Sequence, residues 1–370
     1  MQHLVDCRFS DNYQCSDKAL DVAGSVAYGG AVYFASSTNY VEYVEQPPLF
    51  EYVLFEGNQC RGNHAVNNSG GTYAGDGGGA VYGSEYGTAM TFRHCEFVAN
   101  SITNCTGYGN AGYNHYAHGG AVFTRGDFAA EDCVFTNNAG LTFGGTVFAG
   151  SATGGIRRCT FAGNYQCVPT GFANDSFCGI SAGTVYFNLA DFSNIVENCV
   201  FDGNVLYGRQ GGAICQNAAS TLVMSDTVIR DNLNYKGKDE AIAGAAVYVN
   251  NASSVALIDR CSFIGNRTEH YNLAQGGGLY LAGSGHVRNS LFDGNVVTNE
   301  ANAAKNCGQG GGIFAAQAIE VSNCTFVNNV ARYVGGGLYL GGKRRLASDG
   351  TVDFGCYQLT VTPGLIMIVR

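Results

Sequence analysis

Two histidines and a scatter of carboxylates are the residues of this chain best suited to chemistry. His115 and His118 stand in the spacing His-x-x-His, which supplies two ligands for zinc if a third, such as His94, comes near. A hydrophilic loop accounts for both without a metal. The acids Glu131 and Asp132, Asp191 and Glu197, Asp226 and Asp231, and Asp239 and Glu240 would bind calcium or serve as acid and base only where several met beside an Arg, Lys or His. None recurs at one phase on successive units of the chain, so the expectation is exposed, solubilising acids, with no catalytic residue, metal or cofactor.

What positions these side chains is a repeat. Cys-x-Phe-x-x-Asn occurs as Cys7/Phe9/Asn12, Cys95/Phe97/Asn100, Cys133/Phe135/Asn138, Cys159/Phe161/Asn164, Cys199/Phe201/Asn204, Cys261/Phe263/Asn266 and Cys324/Phe326/Asn329. Val53/Phe55/Asn58, Thr227/Ile229/Asn232 and Ser290/Phe292/Asn295 keep the pattern with another first residue. A second motif, Gly-Gly-(Ala/Gly/Thr)-(Val/Ile/Leu)-(Tyr/Phe), is centred on Val32, Val81, Val122, Val147, Val185, Ile214, Val247, Leu279, Ile313 and Leu338. The two alternate strictly. From each aliphatic centre to the next Phe position the spacing is 13 to 16 residues after the first unit, whereas the return varies from 12 to 26. Insertions therefore gather after the Asn, notably after Asn12, Asn58, Asn100, Asn164 and Asn266. The shortest period, 25 residues, has room for a coil of short strands and none for a crossover helix.

Both motifs read as strands, with period-two alternation bounded by Gly or by Asn. Cys and Phe share parity and face the core, while the residue between them varies and faces solvent. Stacked coils place each Phe on the next at about 4.8 Å. The expected fold is all-β, a right-handed single-stranded parallel β-helix of about ten coils over residues 1–342, with a non-repeating tail at 343–370 that opens on Lys343-Arg344-Arg345. Paired glycines suit a corner needing positive φ or close backbone approach, and Asn suits the other corner by tolerating the left-handed region while its amide bonds stacked neighbours. Neither end reads as a cap, which implies a piece of a longer surface protein or a unit that stacks end to end.

Two further sets of residues lie at fixed phases, one aromatic and one of cysteines, and other candidates are scattered. Tyr33, Tyr82, Phe123, Phe148, Tyr186, Tyr248, Tyr280, Phe314 and Tyr339 close the second motif, with Cys215 the exception. Facing outward they form a ladder able to stack on sugar rings or another protein; with opposite parity they are core. The motif cysteines read as a buried column of reduced thiols, with disulfides between coils the alternative. Loop cysteines are the better disulfide candidates, above all Cys167 with Cys178 in one insertion. Six sequons, at Asn67, Asn104, Asn174, Asn251, Asn266 and Asn323, allow glycosylation in a eukaryotic host.

Composition narrows the partners. There are 54 Gly, 4 Pro and no Trp among 370 residues, with 46 % apolar and 13 % charged residues, which suits an ordered chain with a large core. A net charge of -9 disfavours nucleic acid and anionic membranes. No apolar run approaches the roughly 20 residues of a membrane span. Met1 to Cys7 has neither the basic start nor the apolar stretch of a secretory signal. Fifteen cysteines without a Cys-x-x-Cys nonetheless point to an oxidising, extracellular or cell-surface location.

The alternation of GGA(V/I/L) with FxxN from Cys7 to Gly342 resembles the passenger region of chlamydial polymorphic outer membrane proteins and related pectin-lyase-like β-helix surface proteins. The resemblance implies a surface-displayed, adhesin-like β-helix, associated with the outer membrane if the source is bacterial. The chain shows neither a signal peptide nor room after residue 342 for the family's C-terminal membrane barrel. The leading expectation is a noncatalytic adhesin-like or structural scaffold whose partner is an extracellular glycan, a host or cell-surface protein, or another copy of itself. A polysaccharide lyase or glycoside hydrolase of the pectin-lyase-like class is the alternative, although the Gly-His-Gly, Asn-Thr-Asp and Arg-Ile-Lys signatures of the pectin hydrolases are missing. A glycan-binding module is the third reading.

Overall fold

The computed structural model describes residues 3–15, 29–34, 47–62, 76–83, 89–104, 117–140, 144–166, 182–207, 211–236, 242–244, 246–270, 274–299, 308–341, 345–346, 352–353 and 367–369. Among them every element is a β-strand, and the strands pair in parallel, coil upon coil, into four long sheets. The chain is a parallel β-helix of ten coils. In each coil, sheet I runs from His3–Val5 in the first to Ile319–Ser322 in the last, and sheet II from Arg8–Ser10 to Cys324–Val327. Sheet III runs from Tyr13–Cys15 to Val330–Ala331, and sheet IV from Val32–Phe34 to Leu338–Leu340. The two sequence motifs are sheets II and IV. Sheets I and III carry no fixed letter: their inward columns read Phe50, Phe92, Ala130, Ile156, Val196, Met224, Ile258, Val287 and Cys60, Ile102, Gly140, Gln166, Leu206, Asn234, Thr268, Val297.

Register is kept by identical side chains meeting at strand spacing. Phe9 pairs with Phe55, Phe97 with Phe135 and Phe161 with Phe201, and the ring centroids from Phe55 to Phe201 lie 4.6–4.7 Å apart with planes within 11°. Ile229 replaces one ring, after which Phe263, Phe292 and Phe326 resume the stack. All are buried except Phe9, half-buried in the first coil. The aliphatic centres of sheet IV and the inward residues of sheet I fill the same core.

Two corners turn on one left-handed residue per coil. Between sheets I and II it is Asp6, Tyr52, His94, Asp132, Arg158, Asn198, Asp226, Arg260, Asn289 and Asn323, all with φ near +50°. Between sheets II and III it is the residue before the motif Asn, such as Asp11, Ala99, Gly203 and Asn328. The motif Asn itself does not take the left-handed conformation, contrary to expectation; its work is the amide ladder. The Oδ1 of Asn232 accepts both the backbone N–H and the side-chain N–H of Asn204, at 3.0 and 2.8 Å, and the Asn204 amide also donates to Phe161 O. The same pattern runs from Asn12 to Asn329, so these buried amides keep their partners. The glycine pair divides its work. Gly119 has φ +66°, while a Cβ on Gly120 would lie 2.4 Å from Ala139 O in sheet III.

The tail is not devoid of structure. Met367–Val369 pairs antiparallel with Cys324–Val327, and Arg345–Leu346 pairs with Val352–Asp353. One edge of sheet II is thereby covered, a partial cap on that sheet which the sequence did not show.

Candidate functional site

The motif cysteines resolve into a structural device. Cys7, Cys95, Cys133, Cys159, Cys199, Cys261 and Cys324 each donate S–H to the carbonyl two residues back, at 3.1–3.3 Å, across the left-handed corner residue. Thr227 and Ser290 make the same bond with a hydroxyl, and both also accept the backbone N–H of the cysteine one coil before. Cys, Ser and Thr interchange because each offers a short side chain with one hydrogen to close the turn. The motif cysteines and Cys215 are free thiols. Burial pushes Cys261 up to about 12 and raises Cys215 as well, so these two thiols are poor nucleophiles at neutral pH. Cys167 and Cys178 lie outside the described residues, as do Asn67, Asn174 and His115.

The exposed acids do not converge. In register along sheet I, Glu51, Arg93, Glu131, Arg157 and Glu197 alternate in sign from coil to coil, with ion pairs of 3.7 Å for Arg93–Glu131 and 3.4 Å for Arg157–Glu197. At the adjoining corner Arg158 pairs with Glu131 and with Asp132, and Arg260 with Asp226 and Asp259. The Arg158 and Arg260 guanidinium groups hold the Asp132 and Asp226 carboxyls below the usual carboxylate range. Asp231 stands at the other corner, its carboxylate against Gly265, and Asp191 precedes sheet I. Asp239 and Glu240 are not described. Among the described residues, no group of three or more His, Cys, Asp and Glu is placed to hold a metal ion. His94 stacks on Tyr52 at that corner, in a different part of the coil from His118.

The aromatic ladder is where the structure departs most from an open binding face. Its rings point outward from sheet IV, opposite to the aliphatic centres, yet Tyr82, Phe123, Phe148, Tyr186, Cys215 and Tyr248 form a second hydrophobic cluster of their own. Phe314 is also buried, Tyr280 and Tyr339 are half-buried, and Tyr33 at the first coil is 48 % exposed. An exposed stacking ladder over all nine positions is therefore wrong. Residues just before the glycine pair form a fifth, outer row that returns over the rings. Asp76–Gly77 pairs with Ala117–His118, Ile242–Ala243 with Ala274–Gln275, and bridges continue through Gln309 to Val334. Gly77 lies flat on the ladder, since a Cβ there would come within 2.8 Å of Phe123 and Tyr82. His118 stacks on Phe123 and Phe148, with centroids 5.7 and 5.0 Å away.

Of the described sequons, Asn251 lies at a turn where its Oδ1 accepts Ser253 N–H. Asn323 is exposed at the left-handed corner, and Asn104 ends a strand of sheet III. Asn266 is withdrawn as an acceptor in the folded protein: it is buried, with its amide committed to Ile229 O and Asn295 Oδ1. The sheet III strands stack coil upon coil, and each is followed by the outer row or sheet IV, so the connections between them start from one corner in successive coils. Among the described residues no helix is long and apolar enough to cross a membrane. No protein-family model matches the chain, and neither any curated protein nor any solved structure does.

Proposed function

We propose that this chain is a noncatalytic scaffold displayed at a cell surface or outside the cell, presenting variable connections from one corner of a rigid β-helix to an extracellular glycan or a surface protein. The observation that carries this reading is the common exit of the sheet III to sheet IV connections, because a repeat fold turns insertions at one phase into spatial neighbours. The pairing of exposed acids with arginines supports it, since acids neutralised singly along a ladder are not poised for concerted acid–base work. The resemblance of the repeat to polymorphic outer membrane proteins points the same way.

The test has two arms. Replacing residues 107–115 by a Gly/Ser linker of equal length should abolish binding to a glycan array or to cells while the fold is kept. Incubation with pectate, polygalacturonate or alginate, with and without calcium, should release neither unsaturated nor reducing ends. Turnover that disappears on Glu131→Gln or Asp226→Asn would overturn the scaffold reading in favour of a polysaccharide-cleaving enzyme.

A further inference from the structure

His118 is a buried ionisable ring that neither the coil nor the proposed display needs. It sits in the outer row, 8 % exposed, face to face with Phe123 and Phe148. The row that carries it is short. Asp76–Gly77 and Ala117–His118 are paired strands of two residues each, tied through Gly78 N–H to His118 O at 2.9 Å and Gly29 N–H to Gly77 O at 3.0 Å. Beneath them the ladder is a cluster separate from the main core, so lifting the row leaves the Phe and Asn columns of sheet II untouched. Short pairings over a satellite cluster belong to the low-stability end of local opening.

We propose that His118 is an acid-sensitive catch: protonation releases the outer row and uncovers the stacked rings of Tyr82, Phe123 and Phe148, while the β-helix beneath stays intact. A neutral imidazole stacks on the two phenyl faces as an apolar ring, whereas an imidazolium there is stripped of water. Among the described groups, the charge that acts on it has the same sign. Arg125, in the turn after Val122–Thr124, opposes protonation, and burial opposes it more strongly; together they lower the His118 pKa to about 3. The neighbouring sheet IV strands Val81–Gly83, Val122–Thr124 and Val147–Ala149 offer no ionisable group but the Tyr82 phenol, and across the outer row Asp76 is in register with Ala117. In the opened state the ring regains an ordinary pKa near 6.5. Opened molecules therefore bind a proton below about pH 6.5 that closed ones refuse until about pH 3. Opening is favoured progressively as the pH falls through that window, by up to roughly tenfold per pH unit.

Hydrogen exchange of the full chain between pH 7 and pH 4.5, corrected for intrinsic rates, reads this directly. The opening constant of the Gly78 amide should rise steeply below pH 6.5, while amides around Phe201 in sheet II stay protected. His118→Phe, which keeps the stack and removes the proton site, should give a flat profile. If that variant fails to fold by circular dichroism, His118→Gln should open more readily at every pH and be equally flat. A flat wild-type profile, an unchanged acid rise in either variant, or simultaneous loss of protection in sheet II would each overturn the catch.

Discussion

Two stacks of aromatic rings run the length of this molecule, and they are buried for different reasons. In sheet II the rings from Phe55 to Phe201 lie 4.6–4.7 Å apart inside the coil. In sheet IV the rings from Tyr82 to Tyr186 lie 4.8–5.3 Å apart on its outside. Local geometry is nearly the same, because both inherit strand spacing. The inner stack is enclosed by the other three sheets of its own coil, so each coil buries its ring. The outer stack lies outside the coil and is covered from beyond it, as by Gly77 against Tyr82 and Phe123; Tyr82 is buried, while Tyr33 in the first coil is half in solvent. Stacking in a β-helix follows from register, whereas burial follows from what closes over the stack.

That contrast can be broken by substitution. Phe201→Ala, in the middle of the inner stack, should show the largest loss, about 3 to 5 kcal/mol by urea denaturation, through lost burial and a cavity that the rigid coil cannot collapse. A cost near zero would mean that the inner stack is not the framework. Asn204→Ala should follow at about 1 to 3 kcal/mol, because it takes the side-chain oxygen away from the two N–H groups of Asn164 and removes the amide donor to Phe161 O and Asn232 Oδ1, the latter keeping only the Asn204 backbone N–H. Asn204→Asp should not rescue it, since the carboxylate lacks the N–H that the ladder needs.

Gly77→Ala tests the outer stack from its cover. The added methyl meets the Tyr82 and Phe123 rings, and overpacking of this kind costs about 1 to 3 kcal/mol. Its signature should be faster exchange in the outer row, with sheet II unaffected. The smallest effect is expected for Tyr33→Ala, within about 0.5 kcal/mol in thermal unfolding, because that ring is half in solvent. A loss comparable with Phe201→Ala would show that ring stacking stabilises the ladder independently of burial.

Much of the framework was legible in residue spacing. The alternation of Cys-x-Phe-x-x-Asn with Gly-Gly-x-(Val/Ile/Leu)-(Tyr/Phe) marked sheets II and IV, and the inward parity of Phe201 followed from period two, whereas the direction of Tyr186 stayed open between core and outer face until the structure placed it outside. Sheets I and III escaped because their inward columns mix Phe50 with Ala130 and Ile102 with Asn234, leaving no recurring letter. The corner role of the cysteines could have been read from Thr227 and Ser290, which share their position and their ability to donate one hydrogen. The left-handed residues could not, since Asp, Tyr, His, Arg and Asn all occupy the same exposed corner, where the side chain is free of the core.

The amino-acid sequence by itself determined the coil: its period, the Cys and Phe columns that face inward, and the phase at which insertions gather. These follow from alternation and corner chemistry, which act between residues close in the chain or repeated at one interval. Only the tertiary structure decided that the outward ladder is covered, that Asn266, a motif Asn inside a sequon, is buried and not a surface acceptor, and that Met367–Val369 returns to the edge of sheet II. Each depends on which segment lies across another, a matter of contacts between connections that share no periodicity with the strands they cover.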